Sequence, residues 1–154
     1  MNWILNMPIL DTHLLSVLTF LPLVAVLILL FVKNEDFIRA ITLITMVLVF
    51  IISIALVLGF DSSTHMMQFV EKGEWITALN INYHMGVDGI SVLFILLTAL
   101  IGWVCVLASW RAIDKRVKEF MICLLVMQTA MTGVFCSLDF FLFYIFWEVM
   151  LIPM

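Results

Sequence analysis

Long apolar runs separated by short polar connections organise this chain. They extend over about residues 14–32, 37–60, 90–110 and 120–138, and a fifth occupies residues 139–154. Each of the first four approaches the ~20 residues that a helix rising 1.5 Å per residue needs to cross a ~30 Å hydrocarbon core. The fifth holds about sixteen residues and reads as a span cut short. The pattern predicts an all-α polytopic membrane protein, a single membrane domain over residues 1–154, with four complete transmembrane helices and an incomplete fifth. Ahead of the first run, Met1–Pro8 is apolar and uncharged, either leading into the first helix or lying at the interface with Trp3 as an anchor.

One stretch breaks the helical rhythm. Between Asp61 and Gly89, Trp75, Leu79, Ile81, Tyr83 and Met85 take odd positions, while Ala78, Asn80, Asn82 and His84 take even ones. A period of two predicts a short strand with one buried face, inside a short outer loop. Gly86-Val-Asp-Gly89 then reads as a turn into the third helix, with Asp88 near that helix's N-terminus.

Composition agrees with a bilayer as solvent. The chain is 66% hydrophobic and 12% charged, with mean hydropathy +1.26, where soluble domains carry about 25% charged residues. Placement of charge says more than the net −4. Lys33 and Arg39 lie between the first two runs, and Arg111, Lys115, Arg116 and Lys118 between the third and fourth. Lys72 alone shares the other side with Asp61, Glu71, Glu74 and Asp88. The positive-inside rule then places the two basic loops in the cytoplasm and the N-terminus outside.

Several chemistries lose support here. Cys105, Cys123 and Cys136 are odd in number, lack CxxC spacing and fall inside apolar runs, which reads as helix packing rather than a disulfide, zinc or iron–sulfur set. His13, His65 and His84 are scattered and predict no metal site. No GxGxxG or Walker motif is present, and the basic residues are accounted for by topology, so neither nucleotide nor nucleic-acid binding is expected. The first basic residue follows the first apolar run, so no cleavable signal peptide is recognisable.

Glu148 is the principal candidate. It is the one ionisable acid in the fifth run after Asp139, and a helix from Asp139 places it about nine residues or ~13 Å deep, close to the bilayer midplane. Ionisable groups at that depth are costly and are functional candidates by default. Packing as a neutral carboxyl against a neighbouring helix is the plainer alternative. Low dielectric disfavours a charged carboxylate and a nearby cation favours it, so a carboxyl whose partner moves can load and release a proton. Tyr144, one turn earlier on the same face, is placed to hydrogen-bond with it. Pro153 leaves the Val149 carbonyl without its usual donor, which either kinks the helix or admits water. Gln128, with Thr129 and Thr132, brings polar groups into the fourth helix for interhelical hydrogen bonds or for water. Asp139 reads as a helix N-cap or as a group for proton exchange at the outer surface. No Lys, Arg or His lies deep in any run, so a cation pairing with Glu148 must come from a helix beyond this chain's five or from another chain.

Phe143-Tyr-Ile-Phe-Trp-Glu-Val-Met-Leu-Ile-Pro-Met154 closely resembles the fifth transmembrane helix of subunit M (mitochondrial subunit 4) of the proton-pumping NADH:quinone oxidoreductases, the respiratory complex I family. Tyr83-His-Met-Gly-Val-Asp-Gly-Ile-Ser91 resembles the segment leading into that subunit's third helix. The resemblance runs in order along the chain. It implies a non-redox membrane-arm subunit taking part in proton translocation coupled to quinone reduction, with Glu148 as the family's fifth-helix glutamate, paired with a lysine on the seventh helix. It implies other membrane-arm subunits and the lipid bilayer as partners, no nucleic acid, and no cofactor in this chain. NADH, FMN, iron–sulfur clusters and quinone would belong to other subunits. It further implies a multi-pass protein of the bacterial inner membrane, in preference to the mitochondrial inner membrane. Members have roughly fourteen helices, so the chain reads as an N-terminal portion that is truncated and inactive alone. A subunit of a secondary cation/proton antiporter and a non-catalytic assembly module are the alternative expectations.

Overall fold

The computed structural model describes residues 8–64, 66–76 and 81–153. Five helices and one hairpin follow in the order α1 (Pro8–Phe31), α2 (Glu35–Gly59), β1 (Gln68–Ile76), β2 (Ile81–Val87), α3 (Gly89–Ser109), α4 (Val117–Cys136) and α5 (Phe140–Leu151). Four helices, from His13–Phe31 to Val117–Cys136, are long and apolar enough to cross a membrane. Large apolar side chains such as Leu27, Phe31, Ile44, Leu93 and Leu97 point outward. A soluble protein would bury such a surface; a bilayer solvates it.

Boundaries shift where backbone chemistry outweighs hydropathy. The first helix starts at Pro8 rather than near residue 14, because proline suits a first helical position, where an N–H has no partner. It is interrupted at His13 (φ −139°, ψ 24°), so a fresh set of free N–H groups opens the membrane run. The fourth helix starts at Val117, directly after Arg116 in the left-handed region (φ 55°), and the fifth begins after Asp139. Side-chain caps mark three starts: Asn34 accepts from Asp36 N–H, Asp88 from Ser91 N–H, and Asp139 from the N–H groups of Phe141 and Leu142.

α4 is the central helix, packed against α1, α2, α3 and α5. It buries Gln128, Thr129, Thr132 and Gly133 on these faces, which explains why the least apolar span is the one least exposed to lipid. At one end, Arg39 on α2 donates to the Ile113 carbonyl (3.0 Å) in the α3–α4 connection. Lys118 on α4 donates to the Leu30 and Val32 carbonyls (2.8 and 3.0 Å), closing the C-terminus of α1. Two basic residues that the sequence explained by topology alone thus also tie the helix ends together.

At the opposite end, the expected strand is β2, and it has a partner. β1 and β2 form an antiparallel hairpin with Glu71 opposite Met85 and Gly73 opposite Tyr83. Ile81, Met85 and Val87 supply the buried face, whereas Trp75 lies on β1 and is exposed. Ala78, Leu79, Asn80, His65 and Trp3 lie outside the described residues.

Candidate functional site

α5 owes its register to three observations. Asp139 fixes its start through the N–H groups of Phe141 (2.9 Å) and Leu142 (3.2 Å). Leu142 and Phe146 form its buried stripe. Phe146 lies on Gly133 of α4 so closely that a Cβ there would meet the ring, and its ring centroid is 6.2 Å from that of Phe20 on α1.

At 100° per residue, Glu148 is about 200° around the helix from Phe146. It is exposed, on the face it shares with Phe141, Tyr144 and Leu151, turned away from the other four helices. Tyr144, one turn earlier, is exposed on the same face as Glu148. Among the described residues the ion pairs are Arg39 with Asp36 and His13 with Glu71, and neither involves Glu148. Pro153 lies two residues beyond Leu151, the last residue of α5.

Gln128 is not brought to this face. Its carboxamide points toward Gly102 of α3, where a Cβ would collide with Oε1, and its Nε2 donates to Thr132 Oγ1 at 3.4 Å. A cavity of about 60 Å³ beside it is lined also by Met46, Thr98 and Cys105. That is room for water next to polar partners. Tyr144 therefore accompanies Glu148, while Gln128 serves a separate seam between α2, α3 and α4.

Asp139 does double duty, with its second carboxylate oxygen accepting from Asn82 N–H of β2 at 3.4 Å. Desolvation pushes this carboxyl upward, but the N–H groups of Leu142, Phe141 and Asn82, with His84 nearby, outweigh it and hold it below the usual aspartate range. Asp88, held by Ser91 N–H and hydroxyl, is lowered likewise. A depressed folded value means that the capping contribution is complete above about pH 4 and is lost as pH falls through the lowered value. Asp139→Asn keeps the cap but removes the titration. Between about pH 5 and about pH 3, the thermal midpoint in detergent is expected to fall less steeply in that variant than in wild type.

A buried carboxylate that no pattern in the sequence announces is Glu71. Glu71 is only 7% exposed. It accepts from Leu15 N–H (2.7 Å), from Ser16 N–H (3.2 Å) and, through a short contact, from the Ser16 hydroxyl. Ser16 Oγ lies 2.6 Å from the Tyr83 hydroxyl, and burial pushes that phenol up, helped by the Glu71 charge against the opposing Ser16 hydrogen bond. His13 Nδ1 is 4.0 Å away on a largely exposed ring. Beside Lys72 and Glu74, Glu71 reads in sequence as part of a solvated charged loop. The register shift between Gln68 and Glu71, with Phe69 at φ 52°, is what re-aims it inward.

The family model described as NADH-ubiquinone oxidoreductase chain 4, amino terminus, matches residues 15–134. The chain is 43% identical over 148 residues to NADH-quinone oxidoreductase subunit M of Rhodobacter capsulatus, which covers 92% of this chain and 28% of that one. It is 42% identical over 142 residues to NADH-ubiquinone oxidoreductase chain 4 of Arabidopsis thaliana, 91% of this chain and 29% of that one. To subunit M of Rickettsia typhi it is 35% identical over 153 residues, 94% of this chain and 31% of that one. The chain thus spans about three-tenths of the length of these curated relatives.

Proposed function

The chain belongs to the NADH-ubiquinone oxidoreductase chain 4 (subunit M) family, and on that premise we propose that it works in the membrane arm of an NADH:quinone oxidoreductase, where Glu148 carries protons. The observation that carries this reading is the placement of Glu148 on the outward face of an apolar helix. A carboxyl there has no structural duty toward its own bundle and is available to a group outside it.

The chemistry is an exchange of partners. With no cation nearby, low dielectric favours the protonated carboxyl; a cation brought alongside favours the carboxylate and releases the proton. Tyr144 steadies the carboxyl, while the water-sized space beside Gln128 belongs to the separate seam between α2, α3 and α4. A lysine outside these five helices supplies the cation. Asp139, at the head of α5, lies where protons meet the aqueous phase. Pro153 leaves the Val149 carbonyl free close to Glu148.

On this reading the basic loops face the cytoplasm, the hairpin and N-terminus face the outside, and the membrane is the bacterial inner membrane. The remaining membrane-arm subunits and the bilayer are the partners, and NADH, FMN, the iron–sulfur clusters and quinone are handled by other subunits. Tagging the chain in its native membrane and purifying it in mild detergent tests the assignment. NADH-driven quinone reduction and, after reconstitution into vesicles, proton uptake coupled to it are expected to copurify. Isolation of the chain in a cation/proton antiporter without redox activity would refute it.

A further inference from the structure

A cluster of buried and part-buried polar contacts belongs to neither α5 nor the seam at Gln128. It joins the hairpin to α1. Because α1 is interrupted at His13, the N–H groups of Leu15 and Ser16 open the membrane run without helical partners, and Glu71 of β1 satisfies both. This is an N-cap delivered from another element. A carboxyl group that accepts from two backbone N–H groups and a hydroxyl is held in one place and orientation by them.

The same hairpin grips α5 from its other strand. The His84 carbonyl accepts from Leu138 N–H at 2.9 Å, Asn82 N–H donates to Asp139, and Met85 bridges to Ser137. The Trp75 and Phe141 rings stand 6.4 Å apart, edge to face. The hairpin is therefore a strut between the start of α1 and the start of α5. The left-handed Phe69 and the adjoining register shift are the local strain that points Glu71 into this joint.

We propose that Glu71 is a positioning residue for α5: by locking the hairpin onto Leu15 and Ser16 it sets the height and tilt at which α5 presents Glu148. Glu148 sits about 13 Å along a rigid helix from Asp139. A tilt of about 10° at that end moves its carboxyl by roughly 2 Å, and misplacements near 1 Å can cost ~10²-fold in a positioned reaction. The consequence for proton transfer rests on the function proposed above; the mechanical coupling does not.

Amide hydrogen exchange on the chain in its native membrane assembly separates the two. In Glu71→Ala, exchange is expected to rise roughly tenfold over residues 14–20 and also over 138–143. Glu71→Gln keeps an acceptor for both N–H groups, so both segments are expected to stay protected. A rise confined to residues 14–20 would make Glu71 a local cap and overturn the proposal. Should Glu71→Ala fail to accumulate, Ser16→Ala carries the same comparison with a smaller rise expected in both segments, and an unchanged 138–143 overturns the proposal there too. In transport, Glu71→Ala is expected to shift the pH profile of proton translocation, and Glu71→Gln to restore it; a profile unchanged in Glu71→Ala counts against positioning. If Glu148→Gln pumps normally, the function proposed above fails whatever Glu71 does. If Glu148→Gln stops pumping while exchange over 138–143 ignores Glu71, the positioning role alone fails.

Discussion

Glu148→Gln is expected to reduce redox-driven proton translocation by roughly a hundredfold, the low end of what a positioned acid–base group contributes. Glutamine matches glutamate in shape and hydrogen bonding but has no proton to exchange at any working pH. Its neighbours within the chain should not register the change, because the side chain points away from the buried stripe of Leu142 and Phe146. Assembly is therefore expected to survive, and the amount of chain recovered in the intact complex is the control. Glu148→Asp keeps the charge and shortens the reach by one methylene, so partial activity is expected. Quinone-coupled proton uptake in reconstituted vesicles is the measurement. A normal proton-to-electron ratio in the glutamine variant would show that this carboxyl is structural.

Legibility in the sequence follows the range of the interaction. The four spans could be read directly, because a bilayer's thickness imposes one length on any apolar helix. Asp88 and Asp139 were legible as caps, because an aspartate ahead of an apolar run satisfies N–H groups two or three residues away. β2 was half legible: Ile81, Met85 and Val87 alternate, but its partner Gln-Phe-Val-Glu-Lys-Gly-Glu-Trp-Ile has no apolar face to announce it. Contacts that depend on which helices become neighbours left no periodic trace. Gln128 read as a group for interhelical hydrogen bonds or for water, with no neighbour specified, and the gap left by Gly102 sets it against α3. Glu71 belongs with this group, since its target is a break in a helix 55 residues away. For Glu148, the sequence predicts a depth along the fifth helix, and the structure adds the direction in which the side chain faces.

The second large effect concerns how α5 is held. Gly133→Ala is expected to loosen α5 from α4 and lower the thermal midpoint of the protein in detergent. Alanine is ordinarily the better helix former by up to ~1 kcal/mol, so propensity alone predicts the opposite sign. Packing reverses it. The added methyl would occupy the volume of the Phe146 ring, which lies on Gly133 and stands 6.2 Å from the Phe20 ring, so the ring must give way toward the cavity it lines with Leu142 and Ile145. Overpacking of this kind costs about 1–3 kcal/mol. Between membrane helices close approach over small residues is itself the source of attraction, because lipid solvates apolar surface as well as protein does. The ring must therefore swing or the helix must move outward, and the second displaces Glu148. Phe146→Leu in the Gly133→Ala background restores room at the contact and is expected to recover much of the midpoint. Phe146→Leu alone is expected to destabilise modestly by leaving space. A double-mutant cycle with strong coupling between the two positions is the anticipated outcome. Simple additivity would mean that the α4–α5 contact is not held at Gly133, and that Asp139 and the hairpin alone set the register of α5.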